Sequence, residues 1–352
     1  MVASAGSGKT TYLVDKALSD SGKRVAVVTS TNNNLAVIKR TLCEKAGVSP
    51  ARIDVRTWFE FLLHECARPY QRSVYEDKRI RTVYFPEGRS APYARKDDVA
   101  RFYFRNGEEV YSDKISKFVM ECERKSAGRV TRRLSEMYDA VFVDETQDLA
   151  GYDFDLLEVV MQAGIPMVLV GDPRQGTYRT NESARNRRYC GSGFLDKAKE
   201  WEASGLCVVE KQARSYRCNQ TICDFADKLY PDFEKTSSLN DKVTGHDGVF
   251  MVASEHLDLY NRRYSPQLLR YNRTADTHGH SAVNFGNAKG MTFDRVLIVP
   301  HGPIKKYLLS GDLSTVEGSL AKFYVAVTRA RHSVAFLYDG KCCGGYPACE
   351  PA

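Results

Sequence analysis

The sequence predicts an α/β protein with two parallel-sheet domains, and two observations lead to this prediction. First, short runs of β-branched residues alternate with helical patterns, which is typical of parallel strands covered by helices. Second, a chain of 352 residues with 43% hydrophobic residues can bury two ordinary cores. The predicted strands of the first domain lie at 25–29, 52–57, 140–145, 167–172 and 206–210. Those of the second lie at 248–252, 267–271, 294–300 and 333–338, with helical segments such as 219–230 among them.

One stretch, residues 64–135, departs from this alternation. It is polar, basic and rich in tyrosine, and its only clear helical pattern is DKISKFVMECERK. We interpret it as an insertion between the strands of the first domain. The predicted organisation is a first domain at 1–210 that contains this insertion, a second domain at 211–340 and a cysteine-containing tail at 341–352.

Hydropathy and cysteine spacing restrict the class of protein. Mean hydropathy is −0.42. No apolar run approaches the length of a membrane span, and a signal-peptide pattern is missing, so we expect a cytoplasmic protein without a membrane partner. The ten cysteines include no C-x-x-C pair, which favours a reducing compartment. The tail CCGGYPAC fits a loose thiol-bearing segment better than a zinc site, which needs a fourth ligand.

The net charge of +7 permits binding to nucleic acid but does not require it. Basic residues bunch in four regions, with tyrosines and phenylalanines among them. A single such region is more often a solvated face than a ligand groove. The four regions are Arg68–Arg105, Arg124–Arg133, Arg174–Arg188 and Arg262–Arg273.

The segment AGSGKTT near the start of the chain has the pattern of a phosphate-binding loop. Its glycines allow backbone N–H groups to approach phosphate oxygens, its lysine reaches the β- and γ-phosphates, and the next hydroxyl binds Mg²⁺. Ala3 stands where the general pattern has its first glycine. The predicted nucleotide and Mg²⁺ site includes Ala5, Gly6, Ser7, Gly8, Lys9, Thr10 and Thr11.

Two further strand ends carry residues suited to nucleotide hydrolysis. AVFVDETQD predicts a buried strand that delivers Asp144 to hold Mg²⁺ and Glu145 to polarise the attacking water. The alternative is a solvated acidic loop. MVLVGDPRQGTY places Gln175 after the next strand, where it could sense the γ-phosphate. At this point a nucleotide kinase or a simple nucleoside triphosphatase also fits.

These motifs resemble those of a known family when the second domain is added. GSGKT, DETQ and GDPRQGTY resemble the nucleotide motifs of superfamily 1 helicases of the UvrD/Rep/PcrA type. SYRCNQTICDFA, NAKGMTFDRVLI and FYVAVTRARHSV resemble the fourth, fifth and sixth motifs of these helicases, in the same order along residues 3–338. The resemblance implies two tandem RecA-like domains in a compact form that lacks the large insertion of the second domain.

The resemblance also implies roles for residues of the second domain. With ATP as the nucleotide, Arg217 and Arg329 would reach the γ-phosphate and stabilise its charge in the transition state. Tyr216 would stack on the base, and Gly290 would belong to the nucleotide site. The alternative for both arginines is a surface ion pair.

A second set of implied roles concerns single-stranded nucleic acid. TSTNNNLAVIKR has Asn32 in register with a strand-binding motif, and RTWFEFLL places Thr57 and Trp58 where the strand passes. Tyr178 occupies the position of an aromatic residue that stacks on a base. Such stacking contributes about 1–3 kcal/mol per base and tolerates any sequence. For Trp58 the alternative is a place in the core, because its neighbours are apolar.

The sequence departs from the family pattern at several positions. Ser30 and Thr180 stand where the family has aromatic residues, and Asn284, Gly286 and Thr292 replace its usual residues in the fifth motif. The form KGMTFDRV is closer to other superfamily 1 branches, including viral helicases. The family also has a glutamine-bearing segment ahead of the phosphate loop, whereas three residues precede Ser4 here. If the chain starts at residue 1, we expect the base to be held mainly by Tyr216, with weak discrimination among nucleotides. The alternative is a reading frame that begins upstream of this residue.

Three functions remain open from the sequence. The first is an ATP-dependent helicase or translocase on single-stranded DNA that moves 3′ to 5′. The second is a nucleic-acid-gated ATPase switch that acts with a partner protein, for example in phage defence, with Arg68–Arg105 as the docking face. The third is an RNA helicase, which only the viral-like fifth motif favours.

The basic regions lead to a testable prediction about salt. If about five phosphates of a single strand are neutralised, the logarithm of the association constant should fall against the logarithm of salt concentration with a slope of roughly −3.5. Titration of a labelled strand at several salt concentrations measures this slope. A flat dependence would show that the basic regions do not form the strand groove.

Overall fold

The computed structural model describes residues 1–339 and 345–349 and divides the chain into two compact units. The sheets of both units confirm the predicted α/β class with parallel strands. Cys342 and Cys343 of the predicted tail lie outside the described residues. The first unit comprises Met1–Val2, Lys9–Pro173 and Tyr178–Glu210, and the second comprises Ala3–Gly8, Arg174–Thr177 and Lys211–Ala352.

The first unit is built on a four-stranded parallel sheet. The first eight strands of the chain are β1 (Val2–Ala3), β2 (Val25–Thr29), β3 (Ile53–Thr57), β4 (Thr82–Tyr84), β5 (Phe104–Arg105), β6 (Glu109–Tyr111), β7 (Ala140–Val143) and β8 (Met167–Leu169). The order of strands in the parallel sheet is β3-β2-β7-β8. The helices are α1 (Lys9–Ser19), α2 (Asn32–Ala46), α3 (Trp58–Phe61), α4 (Val99–Tyr103), α5 (Ile115–Lys125), α6 (Arg129–Met137), α7 (Tyr152–Gln162) and α8 (Phe194–Ala203).

The two faces of this sheet pack into different cores because successive side chains of a strand point to opposite faces. Val25 and Val27 of β2 face the helices α1 and α2, in a cluster with Leu13 and Leu42. Ala26 and Val28 face the other way, into a larger cluster formed with the segment between β3 and β7. All five residues of β2 are buried, as expected for a central parallel strand.

The segment between β3 and β7 forms a small subdomain on one face of the sheet. It contains the three-stranded sheet β4-β6-β5, in which β5 pairs antiparallel with β6, and the helices α4, α5 and α6. Phe104 and Phe118 of this segment share one hydrophobic cluster with Val28 and Val141 of the main sheet. The predicted insertion therefore contributes to the core of the first unit.

Several details of the first unit differ from the sequence prediction, and two concern one predicted strand and one helix. The apolar run at 206–210 forms no strand, because Val208 is 81% exposed and the N–H of Val209 donates to the side chain of Glu202 at 2.7 Å. The second difference is α6, which the sequence pattern did not predict. Its buried face consists of Val130, Thr131 and Leu134 alone, too few apolar positions to stand out among basic residues.

The second unit is built on a five-stranded parallel sheet. The strands of this unit are β9 (Lys211–Gln212), β10 (Arg214–Ser215), β11 (Ser237–Ser238), β12 (Gly248–Ala253), β13 (Gln267–Arg270), β14 (Ala282–Asn284), β15 (Phe293–Val299) and β16 (Ala330–Tyr338). The order of strands in the five-stranded sheet is β12-β16-β15-β13-β14. Its helices are α9 (Gln220–Lys228), α10 (Leu257–Tyr264), α11 (Gly302–Ser310) and α12 (Leu320–Val327).

The same alternation divides the second unit into two cores. Val296 and Ile298 of β15 pack toward α9, α11 and α12, whereas Leu297 and Val299 pack toward α10. At the edge of the sheet, Met251 of β12 exchanges backbone hydrogen bonds with residues 347 and 349. The described part of the tail thus extends this sheet by a short parallel segment.

Several short helical segments connect the main elements. The π-helix is Leu62–Ala67, and the 3₁₀ segments are Gln71–Ser73, Thr146–Asp148, Pro173–Gln175, Arg187–Tyr189, Gly191–Gly193, Ser254–His256 and Leu313–Ser319. Within residues 1–339 and 345–349, no helix combines the length and apolar character that crossing a bilayer requires.

The shared core predicts that the insertion stabilises the whole first unit. Phe118 is fully buried in that core, so Phe118→Ala should lower the free energy of unfolding by about 3–5 kcal/mol. Tyr93 lies in the same segment but is 92% exposed, so Tyr93→Ala should change it by less than about 0.5 kcal/mol. Urea unfolding of both variants measures the difference. Equal free energies of unfolding for Phe118→Ala and Tyr93→Ala would show that the insertion folds apart from the sheet.

Candidate nucleotide and nucleic-acid sites

In the first unit, the start of α1 meets the end of β7. Lys9 is the first residue of α1, and the hydroxyl of Thr10 donates to Oδ2 of Asp144 at 3.3 Å. Asp144 follows β7 directly and is 2% exposed. The structure therefore brings together the two residues predicted to hold Mg²⁺.

The environment of Asp144 disfavours its charged form. Burial and the neighbouring carboxylate of Glu145 raise the pKa of Asp144 to about 7, while the ammonium of Lys9 acts in the opposite direction. A divalent cation bound here would supply the missing positive charge. Mg²⁺ at nucleotide sites usually has one or two carboxylate ligands plus phosphate oxygens and water, so this residue pair fits it. No group of three or more His, Cys, Asp or Glu side chains suited to a metal occurs among the described residues.

Glu145 is held in a fixed position by its backbone and by Gln147. Its φ of 56° lies in the left-handed region, and its N–H donates to Oδ1 of Asp144 at 2.9 Å. The amide of Gln147 donates to the carboxylate of Glu145, and its oxygen accepts the N–H of Asp172 at 3.0 Å. Gln147 was not among the predicted site residues, although DETQ contains it. Gln147 links the carboxylate after β7 to the backbone after β8.

In the second unit, the glycine-rich part of the loop packs against the segment that contains Tyr216. Gly6 has a φ of +72°, and a Cβ atom there would lie 2.6 Å from the Cβ of Arg217, so only glycine fits. The N–H of Tyr216 donates to the carbonyl of Gly6 at 2.8 Å. Tyr216 is 59% exposed, and a Cβ at Gly8 would lie 3.8 Å from its ring. An exposed ring beside a phosphate loop is suited to stacking on a nucleotide base.

Arg217, Gln175 and Arg329 meet at the end of α12. The guanidinium of Arg217 donates to the carbonyl of Thr328 at 3.0 Å. Arg329 is 2% exposed, and it donates to Oε1 of Gln175 at 3.0 Å and to the carbonyl of Met291 at 3.2 Å. A buried arginine with these partners is not a surface ion pair, which was the alternative for this residue. Gly290 precedes Met291 in the same cluster and has a φ of +83°.

The predicted strand-binding residues differ in exposure. Asn32 is exposed at the first turn of α2, and Tyr178 is 42% exposed. The hydroxyl of Thr57 caps α3 by accepting the N–H of Glu60 at 3.3 Å, and the Glu60 side chain accepts the N–H of Thr57 at 2.9 Å. Asn32 and Tyr178 are therefore accessible to a nucleic-acid strand, whereas the side chain of Thr57 is largely buried, at 9% exposure.

The structure places Trp58 in the core, which was the second interpretation of its sequence. Its side chain is 2% exposed, and its Nε1–H donates to Oδ1 of Asp153 at 3.0 Å. The prediction that Trp58 stacks on a base is corrected accordingly, because a buried ring has no free face. Asp153 also accepts the hydroxyls of Ser116 and Thr180 and the N–H of Ala150. Thr180, at a position where the family has tryptophan, thus belongs to this buried cluster.

A phosphate loop that leads into a helix, with a hydroxyl and two carboxylates at the neighbouring strand end, defines a P-loop nucleoside triphosphatase. The comparison with protein families gives two matches. One is the viral superfamily 1 RNA helicase core domain, over residues 123–338. The other is described as an AAA domain, over residues 1–181. Each match includes more than half of the chain, and the chain belongs to the viral superfamily 1 helicase-core family. The predicted superfamily 1 core is confirmed, and its UvrD/Rep/PcrA type stays a prediction.

Solved structures of viral helicases are similar to this chain at low identity. The arterivirus nonstructural protein 10 helicase is 15% identical, with a TM-score of 0.48 over 96% of this chain and 59% of that one. Its complex with DNA gives 16% and 0.49 over the same shares, and the PRRSV helicase gives 16% and 0.45 over 96% and 51%. This chain thus spans between 51% and 59% of the length of these helicases. The comparison with curated proteins returned no match.

The raised pKa of Asp144 predicts a pH-dependent stability of the protein without nucleotide. The folded state keeps a proton on Asp144 up to about pH 7, whereas the unfolded chain releases it near the ordinary pKa of 3.8. This contribution to stability is present below about pH 4 and is lost as the pH rises through about 7. Asp144→Asn removes the charge, so the variant should become increasingly more stable than the wild type across this window.

Urea unfolding at a series of pH values measures this difference. Asp139→Asn is a matched control, because the N–H of Arg24 lowers the pKa of the exposed Asp139 and its pH dependence has the opposite sign. A stability gain for Asp144→Asn that does not grow with pH would contradict the assignment of Asp144 as a carboxyl with a raised pKa.

Proposed function

We propose that the protein is a motor with two RecA-like domains that hydrolyses ATP with Mg²⁺ and moves along single-stranded nucleic acid. The observation that carries this proposal is the cluster of Thr10, Asp144 and Glu145 at the end of β7. Thr10 and Asp144 would hold Mg²⁺, and Lys9 would contact the phosphates. Family membership supports the use of a nucleic-acid strand.

Glu145 is the candidate general base of this reaction. Gln147 fixes its carboxylate, so the group that would polarise water is oriented before the nucleotide binds. The cation that accompanies the nucleotide would sit on the carboxylate of Asp144, and the carboxylate of Glu145 would polarise the water. This division of labour follows from two adjacent carboxylates in different surroundings.

The second RecA-like domain would contribute Arg217 and Arg329 to the γ-phosphate. Both guanidiniums bond to residues at the end of α12, and Gln175 accepts from Arg329. A change at the γ-phosphate would therefore reach all three side chains together. We propose that this group couples hydrolysis to movement of the strand.

Two properties of the strand belong to the proposal. Motif resemblance predicted single-stranded DNA and 3′ to 5′ movement. The matched family is described as RNA helicases, and the fifth motif has a viral-like form, so we propose RNA as the first candidate strand and DNA as the second. The direction of movement along the strand, 3′ to 5′, stays a prediction made from the motifs.

A nucleic-acid-gated ATPase switch is the second candidate function. It is favoured by the small number of free aromatic faces among the predicted strand contacts. Trp58 and Thr180 are buried, and the hydroxyl of Ser30 donates to Asp148 at 2.9 Å, which leaves Tyr178 as the exposed ring. Weak binding to a nucleic-acid strand would suit a protein that signals bound nucleic acid to a partner protein. The partner would dock on the face formed by Arg68–Arg105.

Substitution of Glu145 tests the hydrolysis site. Glu145→Gln keeps the hydrogen-bonding shape but cannot accept a proton, so the turnover number should fall by about 10²–10⁴. Glu136→Gln, in an exposed ion pair with Arg132, should leave turnover unchanged. Steady-state phosphate release with excess Mg²⁺ and ATP is the measurement. Equal rates for Glu145→Gln and the wild type would remove Glu145 from the mechanism.

The same assay with added nucleic acid separates the two functions. Single-stranded RNA, single-stranded DNA and duplex DNA are added to the wild type, to Lys9→Ala and to the control Lys16→Ala, whose lysine is exposed on the same helix. Strong stimulation by a single strand, lost only in Lys9→Ala, supports the motor. Intact basal turnover without stimulation by any strand would mean that strand binding requires a partner protein, which favours the switch. Tailed duplexes then measure direction.

A further inference from the structure

A basic pocket in the first unit has no role in the nucleotide site. It is a cavity of about 420 Å³ between the inserted subdomain and the loop that follows Tyr178. Its lining contains two carboxylates, those of Asp113 and Glu182, and five basic side chains. We name this site the basic pocket, and its cations are Arg89, Lys114, Lys117, Arg185 and Arg187.

Two of these cations are fixed by the inserted subdomain. Lys114 is 8% exposed, and its Nζ donates to the carbonyls of Ser90 at 3.0 Å and Phe102 at 2.9 Å. The ammonium of Lys117 lies 4.7 Å from the ring centre of Phe102 and 5.5 Å from that of Tyr152. Aromatic faces hold cations without neutralising their charge. Both ammonium groups are therefore held in place by partners that do not neutralise a positive charge.

The acidic neighbours leave most of the positive charge unbalanced. Asp113 accepts the N–H and the hydroxyl of Ser90, and Arg185 is bound by Asp155, with Nε to Oδ2 at 2.9 Å. In the described part of the chain, no carboxylate forms an ion pair with Arg89, Lys117 or Arg187. Burial lowers the pKa of Lys114, and although Asp113 opposes this, Arg89 and Lys117 lower it further. Cations that repel one another in a concave site favour a bound anion.

The basic pocket is connected to Tyr178, a residue predicted to contact the strand. Tyr152, which lines the pocket, precedes Asp153, and the carboxylate of Asp153 accepts the hydroxyl of Thr180, two residues after Tyr178. Arg185 and Arg187 lie in the same loop as Tyr178. An elongated anion that contacts Tyr178 can therefore continue along this loop toward the pocket.

We propose that the basic pocket binds the phosphate backbone of the single strand on which the motor acts, as a second contact beyond Tyr178. This inference rests on the proposed function, because it assigns a further site to the same strand. The faces of Phe102 and Tyr152 are occupied by cations, so the pocket reads phosphate charge and not the base. Its contribution to affinity is independent of sequence and weakens with salt.

The test compares two double variants with the wild type. Lys117→Ala/Arg187→Ala removes two cations from the basic pocket. Lys23→Ala/Arg24→Ala removes two from the turn before β2, at the opposite end of that strand from Ser30. Fluorescence anisotropy with labelled single strands of RNA and DNA gives the affinity at several salt concentrations. Circular dichroism and thermal melting show that each variant is folded.

The pocket variant should bind the strand about 25-fold more weakly at about 0.1 M salt, with a salt slope less steep by about 1.4, since each phosphate contact on a single strand contributes about 0.7. The control should match the wild type. Lys117→Arg/Arg187→Lys keeps both charges and should stay within about twofold of the wild type. This conservative pair separates loss of charge from loss of structure.

Equal strand affinity in the pocket variant and the wild type would overturn the proposal. If the pocket serves a free polyphosphate, strand affinity stays unchanged and the wild type binds one more inorganic triphosphate than the pocket variant, because both keep the phosphate loop. If it serves an acidic protein, polyglutamate shows that pattern instead. A wild type that binds no strand would overturn the proposed function together with this inference, and binding by the wild type with an unaffected variant overturns this inference alone.

Discussion

The buried carboxylate of Asp153 organises the surface of the first unit on which the proposed strand contacts lie. It is fully buried and accepts hydrogen bonds from the indole of Trp58, from the hydroxyls of Ser116 and Thr180, and from a backbone N–H. A carboxylate without water needs such donors, because each missing hydrogen bond would leave a desolvated polar group. The donors come from α3, α5 and the loop after Tyr178, so one requirement fixes three elements.

The nucleotide site of the first unit follows from a different constraint, the alignment of parallel strands. The strands β7 and β8 pair in parallel, so both end at the same edge of the sheet. Gln147 bridges the two ends by bonding to Glu145 on one side and to the backbone of Asp172 on the other. A Cβ at Gly171 would lie 2.6 Å from the Gln147 side chain, which explains the glycine in this turn. Backbone geometry thus sets the orientation of the carboxylate.

The sequence predicted the parts of this structure that depend on local pattern. The limits of β2 match the prediction, and the strands before Asp144 and Asp172 begin at the predicted residues, because buried parallel strands are continuous apolar runs. Burial of Trp58 was undecided because an aromatic residue beside apolar neighbours fits a core and a stacking surface equally well. The basic pocket could not be foreseen, since Phe102, Lys117 and Arg187 come from segments far apart in the chain. The prediction of a strand at 206–210 was wrong, because the apolar residues of this run do not pair with the sheet.

The common core of the sheet and the inserted subdomain also constrains how such a protein can change during evolution. Phe104 and Phe118 share one hydrophobic cluster with Val28 and Val141, so deletion of the segment would remove part of the core on one face of the sheet. A shorter relative would need a replacement layer of similar apolar area, acquired in the same step. Recombination at the ends of this segment would therefore remove core residues, whereas substitutions in its exposed loops would leave the shared core intact.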